Sequence, residues 1–159
     1  MKNFIKISEA FFWGLLAVFI VPQCEAVEIR IHHKISDSAL EAELDTIIGA
    51  AERNNCTGDD FWLLLAIRKA ENGAAGREFG VLHPRCLQLI REQPGKSLDI
   101  QAGWAAATIV KNRKRWLRAG GDDGFINFLG DRYCPAAIDP QGNVNWKRNV
   151  RYWFDRLLS

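Results

Sequence analysis

The chain has 159 residues, 48% of them hydrophobic, and carries 21 basic against 19 acidic side chains for a formal charge of +2. That length fits one domain with an ample apolar core. The composition excludes disorder, collagen-like repeats and a coiled coil, and the near balance of charge excludes a nucleic-acid binder held by net charge.

The first element reads as an export segment. Lys2 and Lys6 precede an uninterrupted apolar run from Phe11 to Val21, Pro22 breaks it, and Cys24-Glu25-Ala26 puts small residues at the two positions a signal peptidase inspects. A membrane span needs roughly 20 apolar residues, and this run has eleven. Cleavage after Ala26 is expected; an uncleaved N-terminal anchor and a lipoprotein attached through Cys24 are the alternatives. Removing residues 1–26 takes Lys2, Lys6, Glu9 and Glu25 together, so the charge stays at +2. It also takes Cys24 and leaves Cys56, Cys86 and Cys134. In an oxidising compartment two of these can pair, with Cys86–Cys134 the favoured disulfide; three small buried hydrophobes account for them equally well. No CxxC or Cys/His spacing suggests zinc, and His32-His33 has no ligand partners nearby, so no metal is expected.

The rest is a string of helices without internal repeats. Val27 to Ile35 alternates weakly, as an extended arm would. Ser38-Ala39-Leu40-Glu41 is a capping-box pattern, and Leu40, Leu44, Ile47, Ile48 and Ala51 behind it form one helical stripe ending near Asn54-Asn55. Thr57 to Asp60 offers caps and negative charge for a second helix. This helix, Phe61-Trp62-Leu63-Leu64-Leu65-Ala66-Ile67 onward, is apolar on nearly every face and so must be central and buried. Asn72-Gly73 stops it, and Gly73 to Gly80 is a glycine-rich loop. A short helix follows Pro84 and ends at Pro94-Gly95. Ser97 or Asp99 caps a long helix to about Arg118, whose first half, Gln101 to Thr108, is rich in small residues. Asp122 to Gly124 opens a brief apolar turn, Arg132 to Gly142 is a loop with two prolines, and Asn145 to Leu158 closes the chain as an amphipathic helix bearing Trp146, Val150, Trp153, Phe154 and Leu157 on one side. The expected class is mainly α, five or six helices around the second. Of the five Trp that survive cleavage (62, 104, 116, 146 and 153), most are expected in the core.

Glu71 is the residue that points to chemistry. It lies one turn beyond Ile67 and two beyond Leu64 on the most hydrophobic helix of the chain. Desolvation there disfavours the carboxylate, and the negative end of the helix dipole acts in the same direction. A carboxyl group so placed can keep its proton toward neutral pH and serve as a general acid; turned to solvent in the last helical turn, or paired with Lys69, Arg68 or Arg77, it is structural instead.

An apolar helix ending in Ala70-Glu71, followed by Gly76-Arg77-Glu78-Phe79-Gly80-Val81-Leu82-His83, resembles the lysozyme-like superfamily, in particular soluble lytic transglycosylases and goose-type lysozymes. In those families the catalytic Glu ends a buried helix before a Gly-Leu-Met-Gln type segment, whose place Gly80-Val81-Leu82-His83 takes. Asp99-Ile100-Gln101-Ala102-Gly103-Trp104 resembles the family's Asn-Ile-x-x-Gly helix start. Phe128-Leu129-Gly130-Asp131-Arg132-Tyr133 falls where an Ala-Tyr-Asn-x-Gly stretch is usual, and Asn145-Trp146-Lys147-Arg148-Asn149-Val150 is similar to the closing helix. The order covers residues 57–158; His83 in place of Gln and the poor match around Tyr133 mark a reshaped site.

The resemblance implies a lysozyme-like catalytic core over residues 57–159, with residues 27–56 as an arm and first helix of the same domain. It implies an exported enzyme, periplasmic or secreted, that cleaves peptidoglycan glycan strands as a monomer without metal or organic cofactor, touching a membrane only through an uncleaved first segment; the alternative is a catalytically inactive exported helical domain that binds wall glycan or a protein partner. Glu71 is then the catalytic acid and base, Gly80, His83 and Tyr133 line the substrate site, and Glu78 is a candidate second carboxylate, with Asp131 and Asp139 as others. The cations Lys111, Arg113, Lys114, Arg115 and Arg118 read as a solvated face at a helix C-terminus, or as a surface for an anionic polymer or membrane.

Overall fold

The computed structural model describes residues 38–122 and 124–159; the export segment, the arm, Cys24 and His32-His33 lie outside them. The described residues form six α-helices and no strand: α1 (Ser38–Arg53), α2 (Asp59–Glu71), α3 (Pro84–Glu92), α4 (Ser97–Arg118), α5 (Phe125–Tyr133) and α6 (Pro140–Leu158), with a single 3-10 turn, Pro94–Lys96, before α4. Residues 42–159 belong to one unit, and Ser38–Glu41, the first turn of α1, belong to the one before it.

Helix α2 is the centre of that unit. Phe61 and every residue from Leu63 to Ile67 are buried, because a helix apolar all round has no face to give to water. It packs most extensively on α6 and next on α4. Leu44, Ile47, Ala50 and Ala51 of α1, Ala102, Ala105, Ala106 and Ile109 of α4, Leu129 of α5 and Val150 of α6 complete the core. The small side chains expected to permit close packing of α4 thus form its buried stripe. On α5, Gly130 lies directly against α6. A Cβ on Gly130 would stand 2.6 Å from Lys147 Cγ, so only glycine fits.

The helix boundaries correct the sequence reading at three points. The N-cap of α2 is Gly58, which offers no side-chain cap; Asp59 and Asp60 face the positive end of the dipole instead. Helix α4 starts at Ser97 itself, after Lys96, so neither Ser97 nor Asp99 caps it. Ser97 turns inward, and Asp99 pairs with Arg53. Helix α6 starts at Pro140 rather than Asn145: Asp139 accepts from the Gly142 N–H at 2.8 Å, and Pro140 takes the first helical position, where its missing N–H costs nothing.

Two ion pairs, each made through two guanidinium nitrogens, brace α2. Arg68 donates to both oxygens of Glu43 at 2.6 and 2.8 Å. Arg113 reaches Asp60 through two nitrogens at 2.9 and 2.5 Å while its guanidinium lies 3.5 Å from the Phe125 ring centroid. Arg113 is therefore a structural cation, whereas Lys111, Lys114, Arg115 and Arg118 share one exposed stripe of α4. Of the five Trp only Trp146 is buried; the other four are half-buried.

Replacement of Leu64, which has no exposed surface, by Ala should lower unfolding free energy by about 3 kcal/mol. Urea denaturation followed by circular dichroism should show an earlier midpoint with an unchanged slope.

Candidate functional site

The site begins where α2 stops. Asn72 takes the left-handed conformation (φ 44°) and returns its N–H to the Arg68 carbonyl at 3.1 Å, a turn that Asn tolerates. A side chain on Gly73 would strike the Arg77 carbonyl. The chain then closes two tight turns, with the Arg77 N–H on the Ala74 carbonyl (2.8 Å) and the Gly80 N–H on the Arg77 carbonyl (3.0 Å). These turns fold the loop back over the end of α2.

Glu71, the last residue of α2, receives the fold-back. Its Oε1 accepts from the indole N–H of Trp146 on α6 at 2.8 Å. Gly80, at φ 66°, packs against the other side of the carboxyl: a Cβ there would stand 2.5 Å from Oε2 and 2.9 Å from Oε1. Among the described residues no donor reaches Oε2. Burial raises the Glu71 pKa above the ordinary carboxyl value of 4.5, and the Trp146 hydrogen bond, which favours the charged form, pulls it back only in part. One oxygen is thus anchored and the other is left for a proton.

Tyr133 joins this group. Its ring stacks on Trp146 with centroids 5.0 Å apart at 24°, and its hydroxyl donates to the Phe79 carbonyl at 3.1 Å. Burial first, and then the neighbouring Glu71 charge, push the phenol well above its ordinary value of 10, so it stays a donor. Trp146, Tyr133 and Gly80 therefore surround the acid from α6, α5 and the loop.

The loop is held from the far side by α4. Gln101, fully buried, accepts from the Phe79 and Val81 N–H groups at 3.3 and 3.1 Å. It donates to the Gly76 and Val81 carbonyls at 3.1 and 2.9 Å. One turn earlier Ser97 donates to Glu78 Oε1 at 2.5 Å.

Other expected site residues fall elsewhere. Glu78 is turned into the interior, 4% exposed, with Oε2 unpartnered among the described residues, so it does not face a substrate as a second carboxylate. The tight turn of residues 77–80 takes the Glu78 side chain inward to Ser97 while Gly80 lies against Glu71. Asp131 is exposed and holds Lys147 (2.6 Å) and Asn143 (3.1 Å), contacts that depress its pKa below the ordinary 3.8. Asp139 is spent as the α6 cap. His83 is exposed, caps α3 by accepting from the Arg85 N–H at 3.2 Å, and stacks on Trp104 with centroids 4.9 Å apart. It makes no contact with Glu71, to which Gly80 is the loop's link.

Cys56, Cys86 and Cys134 are all free thiols, which corrects the expected Cys86–Cys134 disulfide. Burial pushes Cys56 up to about 12 and also raises the other two, so each is held as a neutral thiol. Among the described residues no group of three or more His, Cys, Asp or Glu side chains is placed to hold a metal ion, and no helix is long and apolar enough to cross a membrane.

The sequence reading passed over Trp146 as a partner of the acid and Gln101 as the clamp of the loop. Both left a trace. Gln101 shares a helical stripe with Ala105 and Ile109, so its amide is buried and must find partners. Trp146 precedes Val150 by one turn on the inner face of α6, and a buried indole N–H needs an acceptor. Comparison of the chain with protein-family models, with curated proteins and with solved structures finds no match; function is therefore read from the site's own chemistry.

Gly80→Ala should lose about 1–2 kcal/mol from the left-handed backbone alone, and more from contact with the Glu71 carboxyl. Thermal unfolding should show the loss, and it should shrink in the double variant Gly80→Ala/Glu71→Ala, where the carboxyl is gone.

Proposed function

We propose that this protein is a lysozyme-like enzyme that cleaves the glycan strands of peptidoglycan, in the manner of a lytic transglycosylase, with Glu71 as the single acid and base. The observation that carries the reading is the state of Glu71: a carboxyl at the end of a buried helix, raised in pKa by burial, with Oε1 anchored by Trp146 and Oε2 open beside a glycine. A protonated carboxyl gives its proton to the glycosidic oxygen as the bond from the sugar's anomeric carbon breaks. The carboxylate left behind then takes a proton from the muramic acid's own 6-hydroxyl as that oxygen closes on the anomeric carbon, giving a 1,6-anhydro end. No metal or organic cofactor is needed.

The fate of the other carboxylates supports the anhydro product over hydrolysis. Two-carboxylate glycosidases set the pair about 5 to 9.5 Å apart, one on each side of the bond. Glu78 is buried on Ser97, Asp131 is held by Lys147 and Asn143, and Asp139 caps α6. A route that uses the substrate's own hydroxyl asks for one acid only. The proposed substrate also requires export, in agreement with the reading of residues 1–26.

Digestion of purified peptidoglycan, scored by mass spectrometry of the soluble fragments, tests this. Wild type should release anhydro-ended fragments, and Glu71→Gln should release them on the order of 10²–10⁴-fold more slowly. Reducing ends would assign a hydrolase. Sedimentation of the wild type with insoluble peptidoglycan, without fragment release, would assign a wall-binding domain and sink the enzyme reading.

The pH profile offers a second check. The indole bond favours the charged form of Glu71, so Trp146→Phe should raise its pKa. The acid must be protonated to act, so activity that falls as pH rises through this pKa should in the variant fall at higher pH. The measurement is kcat across the pH range for both proteins.

A further inference from the structure

Ser97 and Gln101 sit one helical turn apart on the first turns of α4 and both reach the loop that covers Glu71. Gln101 directs its amide at backbone groups of Gly76, Phe79 and Val81, with a longer contact from Nε2 to Cys86 Sγ at 3.7 Å. Phe79 and Val81 flank Gly80, so the residues on both sides of the glycine are pinned by one side chain, while the Gly80 N–H itself goes to the Arg77 carbonyl. Tyr133 pins the same stretch from α5 through the Phe79 carbonyl. The Cα of Gly80 is what meets the Glu71 carboxyl, and it has no side chain with which to adjust.

We infer that Gln101 is a positioning residue: by clamping the loop on both sides of Gly80 it keeps the glycine in contact with Glu71 and so sets how much water reaches that carboxyl. Its importance for turnover rests on Glu71 being the working acid, as proposed above, but the geometric claim stands apart from turnover. A loop freed from Gln101 leaves five unmade hydrogen-bonding opportunities in the interior, four of backbone and one of Tyr133 if its acceptor moves, and it relaxes toward solvent to recover them. Gly80 then withdraws and water enters beside Oε2. The titratable neighbours of Glu71 are Tyr133 of α5 and Cys134 just after it, both of which feel the Glu71 charge. Neither changes in the variants below, so a shift reports hydration.

The test is carbon-13 NMR titration of the Glu71 side-chain carboxyl, identified by its absence from the Glu71→Gln spectrum. Gln101→Met keeps the volume and removes all four hydrogen bonds to the loop backbone, together with the weak 3.7 Å contact to Cys86 Sγ. Its Glu71 midpoint should move down toward the ordinary carboxyl value, by about one pH unit, with the helical circular dichroism unchanged. An unmoved midpoint in the folded variant overturns the inference. Should Gln101→Met fail to fold, Gln101→Asn decides on the same readout, since its amide is one methylene too short to span the loop. If the wild type cleaves glycan, kcat of these variants should fall on the order of 10²-fold with KM little changed, and an unchanged kcat overturns the inference as well. If the wild type cleaves nothing, the proposed function fails, and the NMR midpoints alone decide the clamp.

Discussion

Burial of α2 is the constraint on which the other elements depend. From Phe61 to Ile67 this helix has almost no surface that tolerates water, and α1, α4 and α6 are amphipathic enough to cover it. The covering is made with small residues on α4 and with Val150 and Trp146 on α6. It ends only where the sequence turns polar. Glu71 stands at that edge, too far inside to be well hydrated and too polar to be ignored, and the raised pKa follows from its place at the end of the most buried element.

The carboxyl is made usable by elements far from it in sequence. Trp146 is 75 residues away and supplies a donor to one oxygen. Gly80 supplies no atom beyond Cα, which is its contribution: any other residue would put a Cβ within 2.9 Å of both carboxyl oxygens. Tyr133 stacks on the indole and holds the loop carbonyl, so the same aromatic pair supports both the acid and its cover. Rigid helices thus carry the acid and its donor while an irregular loop brings the glycine, and side chains of neighbouring helices fix that loop.

The polar residues of this region divide by direction. Glu78 and Gly80 are two positions apart on one loop, yet one is buried on Ser97 and the other lies on Glu71. His83 comes three residues after Gly80 and is taken up by capping α3 and stacking on Trp104. Proximity along the chain made all three plausible substrate contacts; the turns at Ala74–Arg77 and Arg77–Gly80 sent them to different surroundings. The thiols show the same limit. The three cysteines beyond residue 26 invite a bridge, but Cys86 is buried on α3 and Cys134 follows α5, each as a free thiol.

Much of this fold was legible because helical periodicity and stop signals are local. The stripe behind Ser38, the apolar run after Asp60, Asn72-Gly73, and the prolines at 84 and 94 each act within a few residues, and the helices appear where those signals lie. Prolines are ambiguous locally, since one residue both breaks a helix and begins one; hence Pro140 was read as loop. The acid was legible too, since its desolvation follows from its own helix. The donor to its oxygen, the clamp on its loop and the exclusion of Glu78 as a second carboxylate were settled only by tertiary structure. Each is a contact between residues 19 to 75 positions apart, and a period read along one helix says which face is buried but not which atom of another helix that face will meet.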